Sequence, residues 1–127
     1  MKKIITLVLL LLLLFFAYFS FNKKSSFIEY KLDNKTYKLL TAKNSTEWQK
    51  GLMFYKKPVD FDGMIFIFPD KQYRTFWNKN TYLDLDIYWM EDDKIIGKSF
   101  LPSILKSKET VTIKSSEKVN KVVELIK

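Results

Sequence analysis

The stretch TYLDLDIYWM, Thr81 to Met90, alternates apolar and polar residues along its length. In an extended chain Leu83, Leu85, Ile87 and Trp89 share one side, while Tyr82, Asp84, Asp86, Tyr88 and Met90 share the other. Such alternation predicts a half-buried strand with one face on a core and one face toward water. Glu91-Asp92-Asp93 turns the chain, and Lys94 to Leu101 returns as the hairpin partner.

The same pattern extends in both directions. Upstream, Phe27 to Leu32 and Lys35 to Lys43 read as strands joined at Asp33-Asn34, residue types that tolerate the positive φ of a tight hairpin. Asn44 and Ser45 are helix N-cap residues, and Glu47 stands three positions after Asn44, as in a capping box. A helix is predicted from Ser45 to about Phe54, with Trp48, Leu52 and Met53 as its sheet-facing stripe. Met64 to Phe68 fits a short buried strand, and Arg74 to Asn78 another. Downstream, Pro102 to Glu109 reads as a loop, followed by strands at Thr110 to Ser115 and Val119 to Ile126. The last of these is also readable as a short helix.

The amino terminus is of a different kind. Lys2 and Lys3 precede an uncharged apolar run from Ile4 to Phe21 that includes Leu9 through Leu14, Phe16 and Ala17. At ~1.5 Å per helical residue the run is about 27 Å long, close to the hydrocarbon thickness of a bilayer. A cleaved signal would have a shorter core ending in a small-x-small site, and Ala17 with Phe19 does not supply one. Residues 1–24 are therefore read as a single transmembrane signal anchor, with Ile4, Leu9, Leu14, Phe16 and Phe21 among its lipid-facing residues, and residues 25–127 as the globular domain. Removal of the leader and secretion is the alternative. A short basic leader ahead of a first apolar segment stays inside, which places the domain outside the cytoplasm; Asn22 to Ser26 make a short tether to the cell membrane.

Composition removes most catalytic mechanisms. The 127-residue chain has no Cys and no His, so disulfides, thiolate nucleophiles, zinc–sulfur sites and Ser-His-Asp triads are all excluded. Any catalysis falls to carboxylates, Lys, Tyr or hydroxyls. The formal net charge of +8 comes almost wholly from Lys, with Arg74 the sole arginine. These lysines are scattered among apolar strands as on a solvated surface, so no nucleic-acid partner is expected, and no cofactor or metal is called for.

Three blocks carry a family resemblance: Gly51-Leu52-Met53-Phe54, Gly63 to Phe68 (GMIFIF), and Phe76 to Ile87 (FWNKNTYLDLDI). Their order and spacing resemble the DUF192 family of small prokaryotic domains, and Val122-Val123-Glu124-Leu125 is similar to that family's closing strand. Tyr55, Asn78 and Asp84 depart from the family pattern, which has Arg, Met and Pro there. The resemblance implies an α+β, mainly β fold: a compact, mixed, barrel-like sheet with one packed helix. It implies no reaction.

The candidate site residues fall in two groups. Asp84 and Asp86 leave one strand face about 7 Å apart, given ~3.4 Å rise per residue, with Tyr82 and Tyr88 beside them. They read either as a ligand or acid–base site, or as the solvent side of a strand. Trp77, Asn80 and Thr81 read either as a recognition loop or as residues that shape a turn. Met53 and Met64 read as core filler. Gly51 is expected to permit close helix packing, and Gly63 to supply a turn with positive φ. The function expected is that of a non-enzymatic binding or accessory domain of the cell envelope, with a ligand or a protein as partner. A carboxylate-dependent envelope hydrolase using Asp84 and Asp86 is the alternative.

Overall fold

A computed structural model describes residues 1–21 and 26–127. The tether read over Asn22 to Ser26 lies, apart from Ser26, outside the described residues, as does the Phe21 side chain. Helix α1 (Lys2–Phe21) is long and apolar enough to cross a membrane, and its side chains from Lys2 to Ser20 are unburied.

Strands β1 (Phe27–Leu32) and β2 (Lys35–Ala42) form the expected hairpin. Its turn residues Asp33 and Asn34 adopt φ of 48° and 67°, the left-handed values a two-residue turn demands. Helix α2 (Ser45–Lys50) follows. The Asn44 side chain accepts the Glu47 N–H at 3.0 Å, and the Glu47 carboxylate accepts the Lys43 N–H at 2.7 Å, one residue before the reciprocal bond of a capping box. The helix ends four residues earlier than expected, because Gly51 turns to φ 49° while its N–H still bonds the Glu47 carbonyl. Leu52 and Met53 therefore sit in turns beyond the helix.

Strand β3 (Gly63–Gln72) runs parallel to β2, and β8 (Val119–Ile126) lies antiparallel between β3 and β5 (Leu85–Glu91). With β6 (Lys94–Leu101) as the partner of β5, the mixed sheet has the order β1-β2-β3-β8-β5-β6. It is an open sheet with β1 and β6 at its edges, so the barrel-like closure expected from the family resemblance does not form. A separate ribbon pairs β4 (Thr75–Trp77) with β7 (Thr112–Lys114). The expected loop from Pro102 to Glu109 contains one short helix, α3 (Ile104–Ser107).

Strand alternation divides the core between the two sheet faces. On one face Leu40, Phe66, Leu85, Ile87, Trp89 and Val122 are buried beneath α2, the turns after it and the β4–β7 ribbon. The other face carries Leu39, Ile65, Met90, Val123 and Leu125, with Tyr30, Tyr37 and Tyr88 packed over them. Met90 and Tyr88 thus face a second apolar cluster rather than water. The strand itself begins at Leu85, so Thr81 to Asp84 of the expected stretch lie outside it, and within β5 the expectation of one wet face holds only toward Asp86.

Candidate functional site

Beneath α2 lies a cleft of about 490 Å³. Its apolar lining is Trp48 and Leu52 from the α2 side, Phe66 and Phe68 from β3, and Phe76 and Trp77 from β4, with Ser45, Gln49, Thr75 and Thr81 among the polar residues beside them. The Trp48 indole donates to the carbonyls of Ala42 (3.0 Å) and Ile67 (3.2 Å), which pins α2 to the sheet. Its ring packs on Phe68 at 4.9 Å, and Phe66 meets Phe76 edge-on at 4.9 Å. These rings hold one another, so the cleft is preformed.

Two of the polar side chains that line it, those of Arg74 and Glu124, have buried atoms. Arg74 follows β3; its backbone exchanges hydrogen bonds with Ser115, whose hydroxyl accepts the Arg74 N–H at 3.0 Å and whose N–H donates to the Arg74 carbonyl at 2.9 Å. The guanidinium lies 3.9 Å above the Phe68 ring, and its Nη2 donates to the Asp70 carbonyl and carboxylate at 2.8 and 2.9 Å. Glu124 sits mid-strand in β8 between apolar cross-strand partners, Met64 and Ile87, and is 4% exposed. Among the described residues, Arg74 Nε and Glu124 Oε2 are the buried side-chain atoms without a hydrogen-bond partner. Buried polar atoms are normally satisfied, because an orphan costs about 1–3 kcal/mol. Both orphans line the same cleft.

Burial alone pushes the Glu124 carboxyl up to about 8, so it is a neutral acid near neutral pH. The sign of the stability linkage follows. Between about pH 4.5 and pH 8 the unfolded chain gives up a proton that the folded chain retains, so stability falls as pH rises through that window. At roughly 1.4 kcal/mol per pH unit, Glu124→Gln should raise Tm near pH 7.5 and flatten the slope. Melting curves between pH 5 and 9 check this; parallel profiles for the two proteins would show that Glu124 is not the titrating group.

The sequence-derived candidates do not converge on one site. Trp77 and Thr81 line this cleft, and Trp77 with Asn80 lines an adjoining one that also includes Phe54. Trp77 is half exposed, with the Lys79 ammonium 5.1 Å from its ring. Asn80 has φ 53° and its carbonyl accepts the Phe54 N–H at 2.9 Å, while the Thr81 hydroxyl donates to the Lys79 carbonyl at 3.1 Å. Tyr82 and Asp84 lie elsewhere, in a depression with Lys56, Lys57 and Lys127. Tyr88 packs against the second core cluster, and Asp86 pairs across the β5–β6 ladder with Phe100.

The two aspartates have separate partners. Asp84 Oδ1 accepts the Ser103 N–H at 2.8 Å and Oδ2 lies 3.7 Å from Lys106 Nζ. Asp86 faces Lys98 at 3.4 Å and Lys127 at 3.5 Å. Among the described residues no group of three or more His, Cys, Asp or Glu side chains is placed to hold a metal ion. The family position of Asp86 suggests that it matters more to folding than Asp84, but the hydrogen bonds point the other way. Asp84→Ala should cost about 2 kcal/mol by orphaning the Ser103 N–H, and Asp86→Ala, which breaks only surface pairs, less than about 1 kcal/mol. Chemical denaturation that reversed this order would refute the assignment.

Glu124 and Arg74 were not singled out from the sequence as site residues. A signal was available for Glu124: in Val122-Val123-Glu124-Leu125-Ile126 its parity places it on the same side as Val122 and Ile126, where a carboxylate has no local reason to be.

Comparison with known proteins supports the fold. A crystal structure from Sinorhizobium meliloti 1021, described as a candidate transcription regulator, is 29% identical, with a TM-score of 0.61 over 72% of this chain and 71% of that one. A crystal structure of a protein of unknown function from Novosphingobium aromaticivorans DSM 12444 is 20% identical, with a TM-score of 0.60 over 82% of this chain and 83% of that one. No curated protein matches. The family model of DUF192, described as an uncharacterised ACR, matches residues 28–127, and the chain belongs to this family.

Proposed function

We propose that this chain is a membrane-anchored, extracytoplasmic binding domain of the cell envelope, without catalysis, and that the cleft beneath α2 receives its ligand. One observation carries the binding reading: Arg74 and Glu124 line the same ring-lined cavity, and each has a buried polar atom, Nε and Oε2, without a partner. A ligand that satisfies them recovers the cost of leaving them unpaired and takes its affinity from the apolar walls. The anchored, exported placement rests on α1, an apolar helix of membrane-spanning length behind a basic start. The hydrolase alternative draws less support. Asp84 is committed to the Ser103 N–H and Lys106, and Asp86 to Lys98 and Lys127.

The test uses the full chain in detergent micelles and a panel of ring-sized apolar fragments, read by thermal shift. Fragments that occupy the cleft raise Tm by mass action, and the rise disappears in Met53→Trp, which places a bulky ring where Met53 lines the cleft. Equal shifts in both proteins would sink the cleft as the ligand site. Fractionation tests the anchor: the chain is expected to stay with membranes through a high-salt wash and to be cut by protease added outside the cytoplasmic membrane.

A further inference from the structure

The cleft's polar groups define what it accepts, given that it is the ligand site as proposed above. Arg74 is held on three sides: its backbone by Ser115, its Nη2 by Asp70, and its guanidinium face by the Phe68 ring. Its Nε–H is buried and has no acceptor of its own. Glu124 is fixed by its place in the central strand β8, where Met64 and Ile87 beside it offer no polar atom that could satisfy it.

The other titratable groups lining the cavity are Lys50 and Tyr73. Lys50 is exposed, its ammonium 5.7 Å from the ring of Tyr55, which does not line the cleft, and Tyr73 is exposed at the margin. In its neutral form Glu124 is itself an O–H donor, so the interior offers donors and positive charge to an incoming molecule. An ammonium ligand would meet the Arg74 guanidinium as a like charge; an oxygen anion would meet a complementary one. The five ring walls require that the rest of the ligand be apolar and about the size of a ring.

From this arrangement we infer that the cleft binds small carboxylates with an apolar, ring-sized body, their oxygens received by the Arg74 Nε–H and the Glu124 carboxyl. No bond is made or broken. The ligand binds as the carboxylate, and Glu124 keeps its proton. Ionisation of Glu124 therefore opposes binding by placing a second negative charge beside the ligand. With the carboxyl titrating at about 8, the neutral, binding-competent fraction at pH 9 is about one in eleven, so the apparent affinity falls about tenfold from its value at pH 6.

The experiment is isothermal titration of the full chain in detergent with phenylacetate, benzyl alcohol and benzylamine, each at pH 6 and pH 9. Phenylacetate is ionised at both values, so a change in its affinity belongs to the protein. The expected result is that phenylacetate binds best of the three and weakens about tenfold at the higher pH. In Glu124→Gln the ratio of its two affinities should collapse toward one. Arg74→Gln should weaken phenylacetate more than benzyl alcohol; because that variant also loses the bonds to Asp70, the Glu124→Gln ratio stands as the independent test.

Benzylamine that binds more tightly than phenylacetate at pH 6 would overturn the carboxylate assignment, as would a phenylacetate ratio that is the same in wild type and Glu124→Gln. In either case a signal abolished by Met53→Trp would leave the cleft itself as the binding site. If no probe gave a signal sensitive to Met53→Trp, both the class and the cleft would fall.

Discussion

Gly63→Ala should leave little or no folded domain. A Cβ built on Gly63 lies 1.8 Å from the Glu124 carbonyl oxygen, 2.9 Å from its carbonyl carbon and 3.1 Å from the Leu125 Cα. All three atoms are backbone, so no rotamer change relieves the clash. Gly63 opens β3 opposite Leu125 of β8 while pairing with Leu39 of β2, so it is held in the ladder from both sides. Moving β8 away by the ångström or more required would break the ladder bonds and open the packed core on both sheet faces. Overpacking in a well-packed core costs about 1–3 kcal/mol even where side chains can shift, and here only backbone can shift. The expected loss is about 4 kcal/mol or more, comparable with the whole margin of a small domain. Gly97→Ala is the matched control: its Cβ meets only Trp89 and Ser116 side-chain atoms, at 3.4 Å or beyond, and should change stability by less than about 1 kcal/mol. Circular dichroism melts of the two variants decide the matter; a Gly63→Ala protein that melts with the Gly97→Ala protein would show that β3 and β8 can separate cheaply.

The two glycine blocks also show where local reading stops. The sequence suggested close packing at Gly51 and positive φ at Gly63; the structure gives Gly51 both a positive φ and a close approach to the Phe66 ring, and gives Gly63 a close approach alone. Gly51 has φ 49° and ends α2, while Gly63 is an extended residue at a close strand approach. Both roles look alike in one dimension, because both are simply the absence of a Cβ. The strands were legible because alternation is a local property, and Val119 to Ile126 proved to be a strand at the centre of the sheet. What lies over a strand is not local. Tyr88 and Met90 read as outward residues, yet β1, β2, β3 and β8 bring their own apolar side chains to that face. Closure of the sheet depends on strand tilt and stagger, which no single segment encodes. The site was partly legible for the same reason. Trp77 and Thr81 lie in a motif and were found, whereas Arg74 and Glu124 are about fifty residues apart in sequence and become a pair only through one cavity.

Asn78→Ala should be the second large loss, about 3–5 kcal/mol, on the scale of one to three kcal/mol for each buried group left unpaired. Asn78 is fully buried. Its amide nitrogen donates to the Pro102 carbonyl at 2.8 Å and the Ser107 hydroxyl at 2.9 Å, and its side-chain oxygen accepts the Val111 N–H at 2.7 Å. Truncation strands the Val111 donor and the Pro102 acceptor in a space that water does not reach. Methionine, the family residue at this position, would fill the volume but supply neither bond. Asn78→Met is therefore expected to fall within about 1 kcal/mol of the alanine variant. The loss should reach the cleft as well as the fold. Asn78 directly follows Trp77 of β4, and its backbone N–H bonds the Val111 carbonyl next to β7, so the same residue ties the ribbon that carries Phe76 and Trp77 to the segment from Pro102 to Val111. A denaturation midpoint close to that of the wild type for Asn78→Met would show that the segment finds other partners, and the ribbon would then owe its position to the Phe66–Phe76 and Phe76–Trp89 ring contacts alone.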